Sequence, residues 1–262
     1  MARHRIGIDL GGTKTEIAVL DPAGAIAYRH RIATPPGYRP TIEAIAELVR
    51  GAESELGIAA TVGVGIPGVV SPATGLVKNA NSQALNGHPL DRDLGALLDR
   101  EVRVENDANC FALSEASDGA AAAQGAGVVF GVILGTGCGG GIVAAGRVHR
   151  GPNRVGGEWG HNPLPWMRAD EFPGHACWCG QRGCLETYLS GTGLAQDCDG
   201  PDARDASSIP ARAAAGEARA VQALERHADR LARALAHVVN LLDPDAIVLG
   251  GGLSNMDHLY RD

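Results

Sequence analysis

Ile6-Gly7-Ile8-Asp9-Leu10-Gly11-Gly12-Thr13-Lys14-Thr15-Glu16-Ile17-Ala18-Val19-Leu20 is the stretch on which the reading of the fold turns. Two apolar runs flank Gly11-Gly12-Thr13-Lys14, the pattern of a β-hairpin with a glycine turn. Residues 26–32 supply a third strand. Over residues 41–56, Ile42, Ile45, Leu48, Val49, Ala52 and Leu56 recur at helical spacing. Short segments follow as strand (61–66), helix (94–98), strand (102–104) and helix (108–114). The opening theme then returns. Residues 128–134 are a branched apolar strand entering the glycine-rich run 135–141, and residues 246–249 are another, entering Gly250-Gly251-Gly252. A long amphipathic helix, marked by Val221, Leu224, Leu231, Leu235, Val238 and Leu242, precedes the last strand. Residues 193–216 read only as helix fragments and loop. Alternating strands and helices predict α/β layers. The alanine- and glycine-rich break at 119–127 divides a smaller domain, residues 1–117, from a larger one, residues 118–262.

Composition narrows the function. The chain has 262 residues, 45% of them hydrophobic and 20% charged, an ordinary globular balance. A net charge of −7 argues against a nucleic-acid partner, which needs a basic face. Arg3 and Arg5 lead straight into a strand, so no leader is expected. No apolar run reaches the length of a membrane span. A cytoplasmic protein is the expectation, and its six cysteines then read as metal ligands and buried thiols rather than disulfides. Cys110, Cys138 and Cys198 are most simply structural.

Between residues 157 and 186 the chain gathers metal-binding chemistry. Gly157-Glu158-Trp159-Gly160-His161 is followed by Cys177, Cys179 and Cys184, with Gly180 and Gly183 as turn formers. Three close thiols and a histidine make a closed tetrahedral zinc set, which is structural rather than catalytic. His161 and His175 compete for the fourth position. Glu158 and Glu186 bracket the cluster, so the metal would hold two carboxylates in fixed geometry.

Three glycine turns at the ends of strands can cradle phosphates with backbone N–H groups. None has the spacing of a Walker A loop, and although Gly135, Gly137 and Gly140 match the dinucleotide pattern, no helix pattern or acidic ribose ligand follows them in place. Asp9 ends the first strand, a good position for holding magnesium. Glu105-Asn106-Asp107-Ala108-Asn109 lies where a strand meets a helix. There Asp107 reads as a helix cap or, beside phosphate turns, as a general base. The asparagines of 79–82 and 86–88 read as turns or as the amides of a polyol site.

Taken together, these residues resemble a sugar kinase of the ROK family (repressor, open reading frame, kinase). The resemblance rests on Asp9-Leu10-Gly11-Gly12-Thr13-Lys14, the Glu105–Asn109 run, Gly157–His161, the cysteine run ending in Glu186 and the Asp243–Gly252 segment, all in order. Lys78–Ser82, Leu85–Gly87 and His161–Met167 resemble the bacterial fructokinase or manno(fructo)kinase branch. The resemblance implies an actin-like ATPase (ribonuclease H-like) fold, two α/β domains around a cleft, with a zinc-bearing loop. It implies ATP with magnesium and a free hexose as ligands, structural zinc on His161, Cys177, Cys179 and Cys184, and a homodimer. It makes Asp107 the catalytic base and assigns sugar contacts to Asn81, Asn106, Glu158, His161 and Glu186. ATP would meet Asp9, Gly11, Gly12, Thr13, Lys14, Gly135, Thr136, Gly137, Gly250, Gly251 and Gly252.

The expected reaction is therefore transfer of the ATP γ-phosphate to the 6-hydroxyl of fructose. Mannose, glucose and N-acetylhexosamines are the alternatives within the family. A repressor is disfavoured by the acidic charge and by the five residues ahead of Ile6, and a non-catalytic sensor by the intact Asp107. Relatives of this kind continue for a few dozen residues past Asp262, adding a strand and a helix that this chain is expected to lack.

Overall fold

The structure, a computed structural model, describes residues 3–80 and 82–260. It forms two compact units: Met1–Cys110 with Gly151–Arg154, and Phe111–Arg150 with Val155–Asp262. In chain order the elements of the first unit are β1 (His4–Leu10), β2 (Lys14–Leu20), β3 (Ile26–Ala33), α1 (Tyr38–Leu56) and β4 (Ala60–Ile66). The short pair β5 (Val69–Val70) and β6 (Val77–Lys78), α2 (Leu90–Leu98) and β7 (Val102–Asn106) follow. Helix α3 (Asp107–Ser117) runs across the division.

The sheet order is β3-β2-β1-β4-β7. β1 pairs antiparallel with β2 and parallel with β4. Strand side chains alternate between faces, so Ile6, Ile8 and Leu10 join Ile17, Val19, Val62, Val64 and Ile66 in one core. Ile42, Ile45 and Val49 of α1 and Leu90 and Leu94 of α2 complete it. Ile45 is 1% exposed, and truncating such a side chain to alanine costs roughly 2–5 kcal/mol. The same alternation turns Gly7 and Asp9 to the opposite face. Gly57, in the left-handed conformation at φ 64°, ends α1 and donates to the Glu53 carbonyl.

The second unit continues with β8 (Val128–Leu134), β9 (Cys138–Ala144), β10 (Arg147–Val148) and α4 (Glu186–Leu189). Then come α5 (Gly191–Asp199), α6 (Ile209–Ala214), α7 (Ala218–Leu242) and β11 (Ala246–Gly250). Its sheet order, β10-β9-β8-β11, repeats β3-β2-β1-β4, with β8 antiparallel to β9 and parallel to β11. Two mixed sheets of one topology are the architecture expected of the actin-like ATPase type. Among the described residues, no helix is long and apolar enough to cross a membrane.

One expectation is corrected here. Residues 135–141 are not a single glycine turn, because Cys138 to Gly141 are already strand, paired with Leu134 back to Gly131. The glycines of β8 and β9 serve close packing. A Cβ on Gly131 would lie 2.7 Å from the Ala112 Cβ, and one on Gly140 would lie 2.8 Å from the Trp159 ring.

Helix α7 anchors the long loop between residues 161 and 186. Its stripe of Ala220, Ala223, Leu224, Leu231 and Ala234 is buried, and Arg230 and Arg233 leave the same helix to pair with Glu171 at 2.9 and 2.7 Å. Arg233 also donates to the Pro165 and Trp166 carbonyls, and Tyr188 donates to the Glu171 carbonyl. Burial alone would raise the Glu171 pKa, but the Arg233 side chain, the Arg168 N–H and Arg230 hold it down at about 2.

His227, 1% exposed, lies on α7 with Nε2 3.1 Å from the Leu189 carbonyl oxygen. Burial lowers its pKa to about 4. The unfolded chain takes up this proton near pH 6.5, whereas the folded chain stays neutral until about pH 4. The stabilisation is therefore complete above pH 6.5 and lost as pH falls through 4, roughly 3 kcal/mol across the window. His227→Gln, which keeps a donor, is expected to flatten the decline in melting temperature between pH 7 and 4. An unchanged decline in calorimetric scans would show that the acid sensitivity lies elsewhere.

Candidate active site and metal centre

The metal centre is assembled from a loop with little regular structure. Pro163 bridges to Cys184 and Ala176 to Arg182, while Cys177 accepts from the Gly180 N–H and donates to the Gln181 carbonyl. These contacts bring His161, Cys177, Cys179 and Cys184 together, with one ligand atom of each within 4.8 Å of all the others. His161 Nδ1 lies 3.6 Å from the Cys177 sulfur, and the Cys179 and Cys184 sulfurs are 3.6 Å apart. Tetrahedral zinc, with bonds of about 2.3 Å to sulfur and 2.0–2.1 Å to nitrogen, requires edges of roughly 3.6–3.8 Å. The donor set and its spacing therefore fit a structural zinc ion. His175 is not part of the cluster; its ring packs beside Tyr188. Burial, reinforced by the neighbouring thiols, pushes Cys184 up to about 12, and burial also raises Cys177. A hydrogen bond from the Gln181 backbone leads the effects that lower Cys179.

The histidine is placed by glycine. Gly157 and Gly160 press the 157–161 loop onto β9 so closely that a Cβ on either would overlap the carbonyl oxygens of Gly140 and Cys138. Trp159, 4% exposed, donates to the Gly139 carbonyl at 2.9 Å and packs edge-on against Phe130. Glu186 opens α4. One carboxylate oxygen accepts the Trp178 indole N–H at 2.7 Å and the other accepts the Cys138 N–H at 3.1 Å. A Cβ on Gly137 would lie 2.7 Å from that second oxygen, so the glycine makes room for the carboxylate.

In the first unit, Asn106 ends β7 and Asp107 begins α3. The helix cap is Asn106, not Asp107: its Oδ1 accepts the Asn109 N–H at 3.1 Å. Its amide also reaches the Gly68 carbonyl at 3.4 Å. Glu105 steadies the pair, one oxygen accepting both the Asn106 N–H and the Asn109 side-chain amide. Asp107 Oδ1 accepts the Ala108 N–H. Asp9, at the end of β1, is exposed, yet partial desolvation and then the Glu16 carboxylate raise its pKa. In the Gly11–Lys14 turn, the Gly11 N–H donates to the Lys14 carbonyl and Thr34 donates to the Gly11 carbonyl. Asn81 lies outside the described residues. Asn86 pins its neighbour Ala80 from both sides, accepting the Ala80 N–H and donating to the Ala80 carbonyl.

The remaining predicted turns belong to the second unit. The Gly135 N–H donates to the Gly137 carbonyl, and the Gly191 N–H donates to the Gly135 carbonyl at 2.7 Å. Gly251 has φ 83°, and a Cβ there would lie 2.5 Å from the Leu134 oxygen. Gly250 is confined by the Phe111 ring, whereas Gly252 faces open space.

A model of the ROK family matches residues 5–262. The chain belongs to the ROK family. An N-acetyl-D-glucosamine kinase of Pasteurella multocida (strain Pm70) is 44% identical to it over 266 residues, 98% of this chain and 86% of that relative. The crystal structure of a ROK hexokinase from Thermus thermophilus matches with a TM-score of 0.80 at 31% identity, covering 98% of this chain and 86% of that one. A ROK family glucokinase from Streptomyces griseus, in complex with glucose and AMPPNP, matches with a TM-score of 0.79, again at 31% identity with 98% and 86% covered.

Sequence reasoning passed over Trp178, whose signal is an aromatic between two cysteines of the metal cluster. Asn86, read as a turn or a polyol-site amide, instead spends its side chain on the Ala80 backbone. For the metal centre, elemental analysis is expected to find about one zinc ion per chain in the unaltered protein and in Cys110→Ser, at an exposed position, and to find none in Cys184→Ser. Full zinc content in Cys184→Ser would remove that thiol from the ligand set.

Proposed function

We propose that this chain is an ATP-dependent sugar kinase whose substrate is N-acetylglucosamine, phosphorylated at its primary hydroxyl. The observation that carries the proposal is kinship: 44% identity to an N-acetyl-D-glucosamine kinase over 98% of the chain. The motifs point to fructose, but this kinship favours the acetamido sugar. Asp107 is assigned as general base from its place where β7 meets α3, at the first residue of the helix that Asn106 caps.

Asp107 takes the hydroxyl proton as the sugar oxygen attacks the γ-phosphate in line. Asn106 spends its Oδ1 on the helix and keeps amide hydrogen for a sugar hydroxyl. Glu158, His161 through Nε2, and Glu186 supply the remaining sugar contacts, with Asn81 assigned from the sequence alone. Gly11 to Lys14 and Gly135 to Gly137 offer donors to the phosphates, and Gly250 to Gly252 line the nucleoside pocket. Magnesium, where bound, would supply positive charge to offset the negative charge that develops on the phosphates, with Asp9 as the residue that would hold it. Asp9 suits such a cation, since a positive charge beside it would oppose the burial and the Glu16 carboxylate that raise its pKa.

The test is an ADP-release assay with magnesium and ATP against N-acetylglucosamine, N-acetylmannosamine, glucose, mannose and fructose. The highest kcat/KM is expected for N-acetylglucosamine. A preference for fructose would overturn the sugar and keep the chemistry, and no turnover with any sugar would overturn the kinase. Asp107→Asn is expected to lower kcat by a factor of about 10² or more while sugar affinity, measured by calorimetry, changes little.

A further inference from the structure

Trp178 has no place in either core. It is 60% exposed, although Cys177 and Cys179 on both sides of it belong to the metal cluster. An indole held in water between two metal ligands calls for a reason, and its contacts supply one. The ring meets the His161 ring edge-on, with centroids 4.9 Å apart and planes at 86°. Its N–H is used on Glu186 at 2.7 Å, within the range of a charge-assisted hydrogen bond. The second Glu186 oxygen is fixed by the Cys138 N–H, directly after the Gly135–Gly137 turn. The carboxylate therefore spans from the metal loop to the first residue of β9.

We propose that Trp178 is the positioning residue for Glu186, a strut that makes the orientation of this carboxylate depend on the metal loop. Each carboxylate oxygen can accept two hydrogen bonds. With one of each used by the protein, the plane of the group is set and two acceptor sites remain for ligand hydroxyls. Gly137 is part of the same device, because any side chain there would meet the Glu186 oxygen. The metal fixes the backbone on both sides of Trp178, the indole fixes one oxygen and β9 fixes the other. The consequence for sugar affinity rests on the sugar-kinase reading; the strut does not.

The test uses the zinc-loaded chain labelled with ¹⁵N at its three tryptophan indoles. Trp178→Phe keeps a ring beside His161, removes the donor and identifies the Trp178 signal by its loss. That signal is expected far downfield, and it moves upfield both in Glu186→Gln and on chelation of the metal. Trp178→Phe should retain its zinc and its melting temperature. Its KM for N-acetylglucosamine should rise about tenfold while its KM for ATP changes by less than about twofold, the effect of losing one hydrogen bond to a charged group. A Trp178 signal unmoved in Glu186→Gln overturns the strut whatever the substrate is. A sugar KM unchanged in Trp178→Phe overturns its positioning role. Absence of turnover in the unaltered chain would defeat the sugar-kinase reading instead, and the indole signal would still decide on the strut.

Discussion

The second unit depends on a backbone contact that admits no side chains. β9 and the loop carrying Glu158 and His161 touch through Gly140, Gly157 and Gly160, and a Cβ on any of them would meet the opposing chain or the Trp159 ring. The contact requires glycine's small size at all three positions and, at Gly157 with φ 92°, its conformational freedom as well. Once the loop lies on the strand, Trp159 is driven inward against Phe130 and His161 is left facing the thiols.

From that contact the site is built by successive constraints. The span between His161 and Cys177 is long and has no helix or strand ladder of its own. Its order comes from α7, where Glu171 is gripped by two arginines and the carbonyls of residues 165 and 166 by one of them. A metal on the four ligands would then join the two ends of a loop that is already pinned in the middle. In the first unit the corresponding economy is at the start of α3. Neighbouring residues divide the work, the Asn106 Oδ1 capping the helix terminus and the Asp107 carboxylate accepting the Ala108 N–H.

Much of this was legible in the sequence because it is local. Periodicity two in residues 6–20 and periodicity 3.6 in residues 41–56 are direct consequences of strand and helix geometry. The cysteine spacing likewise encodes a ligand set within one short loop. What the sequence hid is long-range or turns on a choice between neighbours. Cys138 to Gly141 look like a turn because glycine is rare inside strands, and only Trp159 and Ala112, both elsewhere in the chain, give the reason for β-strand glycines. Asp and Asn are equally good caps, so composition could not decide between residues 106 and 107. Arg230 and Arg233 lie 59 and 62 residues from Glu171, with no spacing rule to join them.

The Glu171 cluster also bears on how the fold responds to heat. Its three side chains are 4%, 8% and 14% exposed, so they were taken out of water at considerable desolvation cost. That cost shrinks on warming, because hydration of ions carries a strongly negative entropy, while the contribution of apolar burial levels off. The support beneath the metal loop therefore gains relative weight as the temperature rises.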